Sequence, residues 1–97
     1  MNIYLLEQNV NNGYDTYDSC VVVAENEEAA RNIHPSEFVT HVSEGKWMGT
    51  YTNGGEYVQD GYDWVQYSEI DRVNVTLIGT AIEGKEPGVI CASFNAG

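Results

Sequence analysis

Apolar positions along this chain come in short runs bounded by turn-forming residues, a pattern of strands more than of helices. Residues 3–9 (Ile-Tyr-Leu-Leu-Glu-Gln-Asn) and 20–24 (Cys-Val-Val-Val-Ala) read as two strands. Between them, Asn11-Asn12-Gly13 supplies residues that tolerate positive φ in a turn. Val21-Val22-Val23 is apolar at consecutive positions, so its strand is expected at the centre of a sheet or covered on both faces. A short helix follows. Asn26 is the candidate N-cap, Glu27 and Glu28 place negative charge in the first turn, Ala29, Ala30 and Ile33 recur at helical spacing, and Pro35 stops it.

The middle of the chain is aromatic. Residues 46–52 and 56–59 flank Asn53-Gly54-Gly55, a strong hairpin signal. Asp60-Gly61 forms a further turn, and residues 36–42 fit either one more helical turn or a short strand. Residues 72–77 alternate apolar and polar side chains, as a strand with one wet face does, and 89–94 form the final strand. Residues 83–88 read as the hairpin turn between them. The predicted fold is α+β. It is a single domain over 1–97, a mostly antiparallel sheet of about four to six strands with one short helix packed on it. The expected order is β-β-α-hairpin-β-β, with residues 44–68 as an aromatic hairpin insertion.

Charge changes this picture more than size does. The 97 residues carry fifteen acids against four Lys and Arg, a formal net charge of −11, yet 42% are apolar and seven are Tyr. That composition supports a packed domain, and it offers no basic footprint for nucleic acid or an anionic membrane surface. The acids are uneven: residues 1–30 carry six and no base, 31–70 six against two bases, and 71–97 three against two. From Pro87 onward no side chain is charged, which implies burial of this end in the domain's own sheet or against a partner. The first residues lack the basic start of a signal peptide, and no apolar run approaches a membrane span, so a cytoplasmic protein is expected. Cys20 and Cys91 each lie in an apolar stretch and are expected as buried free thiols.

Tests for chemistry exclude more than they find. Gly79 to Lys85 satisfies the spacing of a phosphate loop, but Glu86 replaces the metal-binding hydroxyl and a strand follows instead of a helix. His34 and His41 are not joined by further ligands at metal spacing, and Asp15 with Asp18, like Asp60 with Asp63, lacks the EF-hand pattern. No nucleophile elbow or triad context is present. The reading is therefore a non-catalytic protein with no cofactor. What remains is surface, where acids interleave with Tyr and Trp, the residues that dominate interface hot spots.

Residues 1–35 and the end of the chain carry a resemblance. Residues 9–19 (Asn-Val-Asn-Asn-Gly-Tyr-Asp-Thr-Tyr-Asp-Ser), 22–25 and 28–35, together with 73–81 and the terminal Gly-Val-Ile-Cys-Ala-Ser-Phe-Asn-Ala-Gly of 88–97, resemble a family of small uncharacterised phage and prophage proteins. The resemblance covers about half the chain and implies a phage or mobile-element origin, with no catalytic residues to carry over. The function expected is that of an inhibitor of a bacterial defence system. It would be anti-CRISPR-like, an acidic face mimicking nucleic acid on a basic host protein in the infected cell. Binding is expected to fall on Asp15, Asp18, Glu27 and Glu28, and on Glu56, Tyr57, Asp60, Tyr62, Asp63 and Trp64. The alternatives are an oligomeric sponge stacking a small nucleotide on Trp47 or Trp64, and a virion accessory protein without inhibitory role. A homo-oligomer is compatible with each.

Overall fold

The computed structural model describes residues 1–96; Gly97 lies outside the described residues. Among the described residues, seven strands form two antiparallel sheets. The larger is built from β1 (Asn2–Glu7), β2 (Thr16–Ala24), β6 (Asn74–Thr80) and β7 (Gly88–Asn95), in the order β6-β1-β2-β7. The smaller is a meander of β3 (His41–Ser43), β4 (Lys46–Thr50) and β5 (Glu56–Val58). A short helix, α1 (Glu27–Arg31), follows β2, and a 3-10 helix (Tyr67–Arg72) precedes β6. The sequence expectation of one sheet with four to six strands is thus corrected to two sheets. The short segment around His41 pairs with β4 and supplies the additional strand.

The Val21–Val23 run lies in β2, which has a partner on each side, and Val22 and Val23 are fully buried. Strand alternation sets one face of the large sheet against the core. Tyr4 and Leu6 of β1 stand beside Val22 and Cys20 of β2, and Val73 and Val75 extend the row toward β6. Ala30 of α1, Trp47 of β4, and Trp64 and Val65 from the loop after β5 cover this face. Asn26 caps α1, its Oδ1 accepting from Ala29 N at 2.8 Å, a contact of the kind worth about 1 kcal/mol. Trp47 is 1% exposed and its Nε1 donates to Val65 O at 3.0 Å, so its polar handle is satisfied inside the core.

Two expectations fail for the same reason. Residues 83–88 do not close a hairpin, because β6 and β7 lie on opposite edges of the sheet. The connection 81–87 crosses the ends of β1 and β2, with Ala81 N donating to Met1 O at 2.9 Å. Three strand spacings of about 4.8 Å are within reach of seven extended residues. The uncharged carboxyl end is likewise not buried in its own sheet: every residue from Val89 to Asn95 is exposed. Cys91 is exposed as well, and only Cys20 is the expected buried thiol. Alternation along a strand reports its apolar side, but which strands become neighbours, and which are covered, is settled by the rest of the chain.

The aromatic segment is a hairpin only over 46–58. Tyr51 N donates to Gly55 O at 2.7 Å, and Gly54 takes a φ of 90° in the turn. The ring of Tyr57 lies across Gly49, where any Cβ would overlap it. Residues 59–66 then leave the hairpin and carry Trp64 and Val65 into the core.

Candidate protein-binding surface

The most organised polar region joins the β1–β2 loop to the loop after β5. Gln8 is buried, and its amide folds the chain back on itself. Oε1 accepts from Val10 N at 2.9 Å and Asn11 N at 2.8 Å, while Nε2 donates to Asn11 O at 2.7 Å and Tyr17 O at 2.8 Å. Asn11 then reaches across to the second loop. Its Nδ2 lies 3.2 Å from both Gly61 O and Tyr62 O and 3.1 Å from Trp64 O. Tyr17 N donates to Asp63 O at 2.8 Å, and Asp15 N to Asn95 O at 2.6 Å. Each bond satisfies a loop carbonyl or amide that would otherwise need water, so the two loops behave as one unit.

Asp60 braces the second loop from below. A single oxygen, Oδ1, accepts from Trp47 N at 3.1 Å and Tyr67 N at 2.8 Å, tying β4 to the start of the 3-10 helix. Gly61 turns the chain immediately afterwards with a φ of 77°. The joined loops carry Tyr14, 80% exposed, and Tyr62, 69% exposed, with Asp15 exposed in the first loop, while the exposed Asp18 lies on β2 and lines a separate cleft with Glu7, Arg72 and Asn74.

The other expected binding residues separate. Glu27 and Glu28 lie beyond the far end of β2, a nine-residue strand and so about 30 Å long. Glu27 is paired there with Arg31 at 2.9 Å. Glu56 and Tyr57 belong to the small sheet: Glu56 Oε1 is 2.7 Å from His41 Nε2, and Tyr57 packs on Tyr51 with ring centroids 4.7 Å apart. Trp64 is corrected outright, being 1% exposed and part of the core cluster. Asp60 and Asp63 serve the interior more than the surface. Asp63 is half-buried with Oδ1 3.5 Å from His34 Nε2, and burial raises its pKa above the ordinary carboxylate value. The sequence reading missed Tyr14, Gln8 and Asn11. Tyr14 sits in the polar run after Gly13 and was legible as a loop aromatic, whereas the crosslinking roles of Gln8 and Asn11 depend on a loop fifty residues away.

A cavity of about 490 Å³ opens beside this region, lined by Ile33, His34, Ser36, Val39, Trp47 and Val89 among others. His34 is buried, and its desolvation lowers its pKa to about 4, against a partial upward pull from Asp60. Tyr17 titrates above its ordinary value, through burial and then the charges of Asp63 and Glu37. The set resembles a triad in residue type but not in geometry. His34 Nδ1 accepts from the backbone N of Ser36 at 2.9 Å, and Ser36 Oγ instead accepts from Phe38 N at 3.1 Å. A relay needs the hydroxyl on one ring nitrogen and the carboxylate on the other. Here the first nitrogen is occupied by main chain.

Among the described residues, no group of three or more His, Cys, Asp or Glu side chains could hold a metal ion, and no helix is long and apolar enough to cross a membrane. Neither indole offers an open face for stacking, since Trp47 and Trp64 are both 1% exposed, so the proposed nucleotide platform on these residues is corrected. No family model, curated protein or solved structure matches the chain.

Proposed function

We propose that this chain is a non-catalytic binding protein of phage or mobile-element origin that inhibits a bacterial defence system. Its acidic, tyrosine-bearing loop platform competes with nucleic acid for a basic surface on a host protein. The observation that supports the reading is the hydrogen bonding of Asn11 to the carbonyls of Gly61, Tyr62 and Trp64, which fastens the loop bearing the exposed Tyr14 and Asp15 to the loop bearing the exposed Tyr62. A surface ordered before binding loses less side-chain and loop entropy on association. Carboxylates on a chain of net charge −11 steer a basic partner by long-range attraction, and exposed tyrosines supply contact area once it arrives. Glu27 and Glu28, at the far end of β2, contribute to the field and not to the contact.

The test is affinity capture from a bacterial host with the tagged full chain at low salt, repeated at high salt. The captured protein is then assayed for nucleic-acid binding with and without the chain. The expected result is a nucleic-acid-binding protein that is released by salt and displaced from its nucleic acid by this chain. Asp15→Asn with Asp18→Asn lowers affinity chiefly at low salt, and Tyr62→Ala lowers it at any salt, by about tenfold or more for a hot-spot residue. Recovery of no such protein, or capture indifferent to salt, removes the support for this reading.

A further inference from the structure

The uncharged carboxyl end is the other feature of this chain that needs a partner. β7 pairs with β2 along one side, and its opposite edge is the end of the sheet. Such an edge exposes a row of unpaired N–H and C=O groups, and proteins ordinarily protect it with charge, proline, bulges or cover. Of these, β7 has only a bulge near its start. It carries no charged side chain and no proline over eight residues, and Val89, Ile90 and Phe94 are 39%, 47% and 47% exposed. The ladder is irregular at two places: Ile90 is left out between Val89 and Cys91, toward the start of β7, and Asp18 of β2 is left out opposite Ser93 and Phe94. Cys91 to Asn95, beyond Ile90, remain extended.

We propose that β7 is the interface of a homodimer, in which the β7 strands of two copies pair antiparallel about a two-fold axis and continue the large sheet from one copy into the other. Opposed residues in an antiparallel pair point to the same side of the sheet, so the two-fold must pass through a residue facing its own copy. With the axis at Ala92, a small side chain meets itself at the centre. Phe94 stands opposite Ile90 of the second copy, and the same pair repeats on the other side of the axis. Cys91 faces Ser93 of the second copy. The exposed apolar side chains thereby meet one another, and cross-strand aromatic and β-branched pairs are favourable.

Charge selects a second copy over the basic partner proposed above. That partner is drawn to carboxylates, which β7 lacks, whereas two chains of −11 can approach closely only along a strand that carries no charge. The charges nearest in sequence, Glu83, Lys85 and Glu86, all lie before the strand begins. Symmetry selects like edges. β6 is uncharged too and exposes Leu77 and Ile78, but β6 pairing on β7 of another copy would repeat head to tail without closing, and a closed β6–β6 pair is distinguished by loss of the dimer in a β6 variant. A single paired edge buries less than the roughly 800 Å² per partner of a standard interface, so the dimer is weak and its population rises with concentration.

Sedimentation of the full chain over a dilution series tests this, with the variants Ala92→Lys and Thr76→Lys in parallel. Ala92 and Thr76 are both exposed, on the β7 and β6 edges respectively, and circular dichroism checks that each variant keeps its fold. The expected result is a dimer that dissociates on dilution, a monomer throughout for Ala92→Lys, and an unchanged dimer for Thr76→Lys. In a Cys91→Ser background, Ala92→Cys forms a disulfide-linked dimer on mild oxidation and Thr76→Cys does not. A monomer at every concentration overturns the proposal. So does association that survives Ala92→Lys, or a dimer or open-ended polymer lost with Thr76→Lys. The loop variants Asp15→Asn and Tyr62→Ala leave the dimer intact, so failure of this interface and failure of the loop platform are read separately.

Discussion

Protonation of His34 should make this fold sensitive to acid, and the side chain can be replaced without losing its hydrogen bond. The ring is 7% exposed, packed edge-on against Trp47 with centroids 5.1 Å apart, and desolvation holds its pKa to about 4 against an ordinary 6.5. In the unfolded chain the ring takes up a proton as pH falls through about 6.5. The folded chain does so only near 4. Between those values the unfolded state binds more protons, so stability falls as pH falls. At about 1.4 kcal/mol per unit, the loss reaches about 3 kcal/mol once pH is below the folded value. Above pH 7 both states are neutral and the contribution is nil. Asp63 acts in the opposite sense: burial raises its pKa, so the folded chain protonates it first and regains part of the loss. The comparison is therefore between wild type and His34→Asn, which keeps an acceptor for Ser36 N in an Asx turn but cannot titrate. Urea unfolding from pH 7 to pH 4 should show wild type losing about 3 kcal/mol more than the variant. Equal losses in the two proteins, or a His34 ring titrating near its ordinary value by NMR, would refute the reasoning.

Asp60→Ala leaves the amides of Trp47 and Tyr67 without their shared acceptor, and should lower unfolding stability by about 2–3 kcal/mol in the same urea assay. Because Asp60 also braces the loop platform, this variant should weaken partner binding without altering any contacting side chain. Thiol labelling under native conditions should modify Cys91 alone, since it is exposed, while burial pushes the Cys20 thiol up to about 12. Both thiols should react after denaturation, and labelling of two in the folded chain would contradict the packing of β2.

The local grammar of the chain was legible without coordinates. Asn11-Asn12-Gly13 marks a loop, Asn53-Gly54-Gly55 marks a hairpin turn, and the consecutive valines of β2 mark a strand with partners on both sides. The candidate site was legible only in part. Asp15 and Tyr62 lie in the two loops that Asn11 joins, but Glu27, Glu28, Glu56 and Tyr57 stand elsewhere, and Trp64 is core. A list of acids and aromatics along a chain gives no distances. Whether a Trp is an anchor or a core residue depends on a layer contributed by distant segments.

By itself, then, the sequence determined where strands and turns form, that the sheets are antiparallel, and that the charge is overwhelmingly acidic with a neutral carboxyl end. Those are properties of neighbours a few residues apart, governed by side-chain period and turn chemistry. Tertiary structure alone decided that β6 and β7 take opposite edges, that both indoles are buried, and that Asn11 fastens one loop to another fifty residues on. It also decided the meaning of the uncharged end. A charge-free strand is buried only if some layer covers it, and here the covering residues lie over β1 and β2 and leave β7 exposed at the sheet's edge.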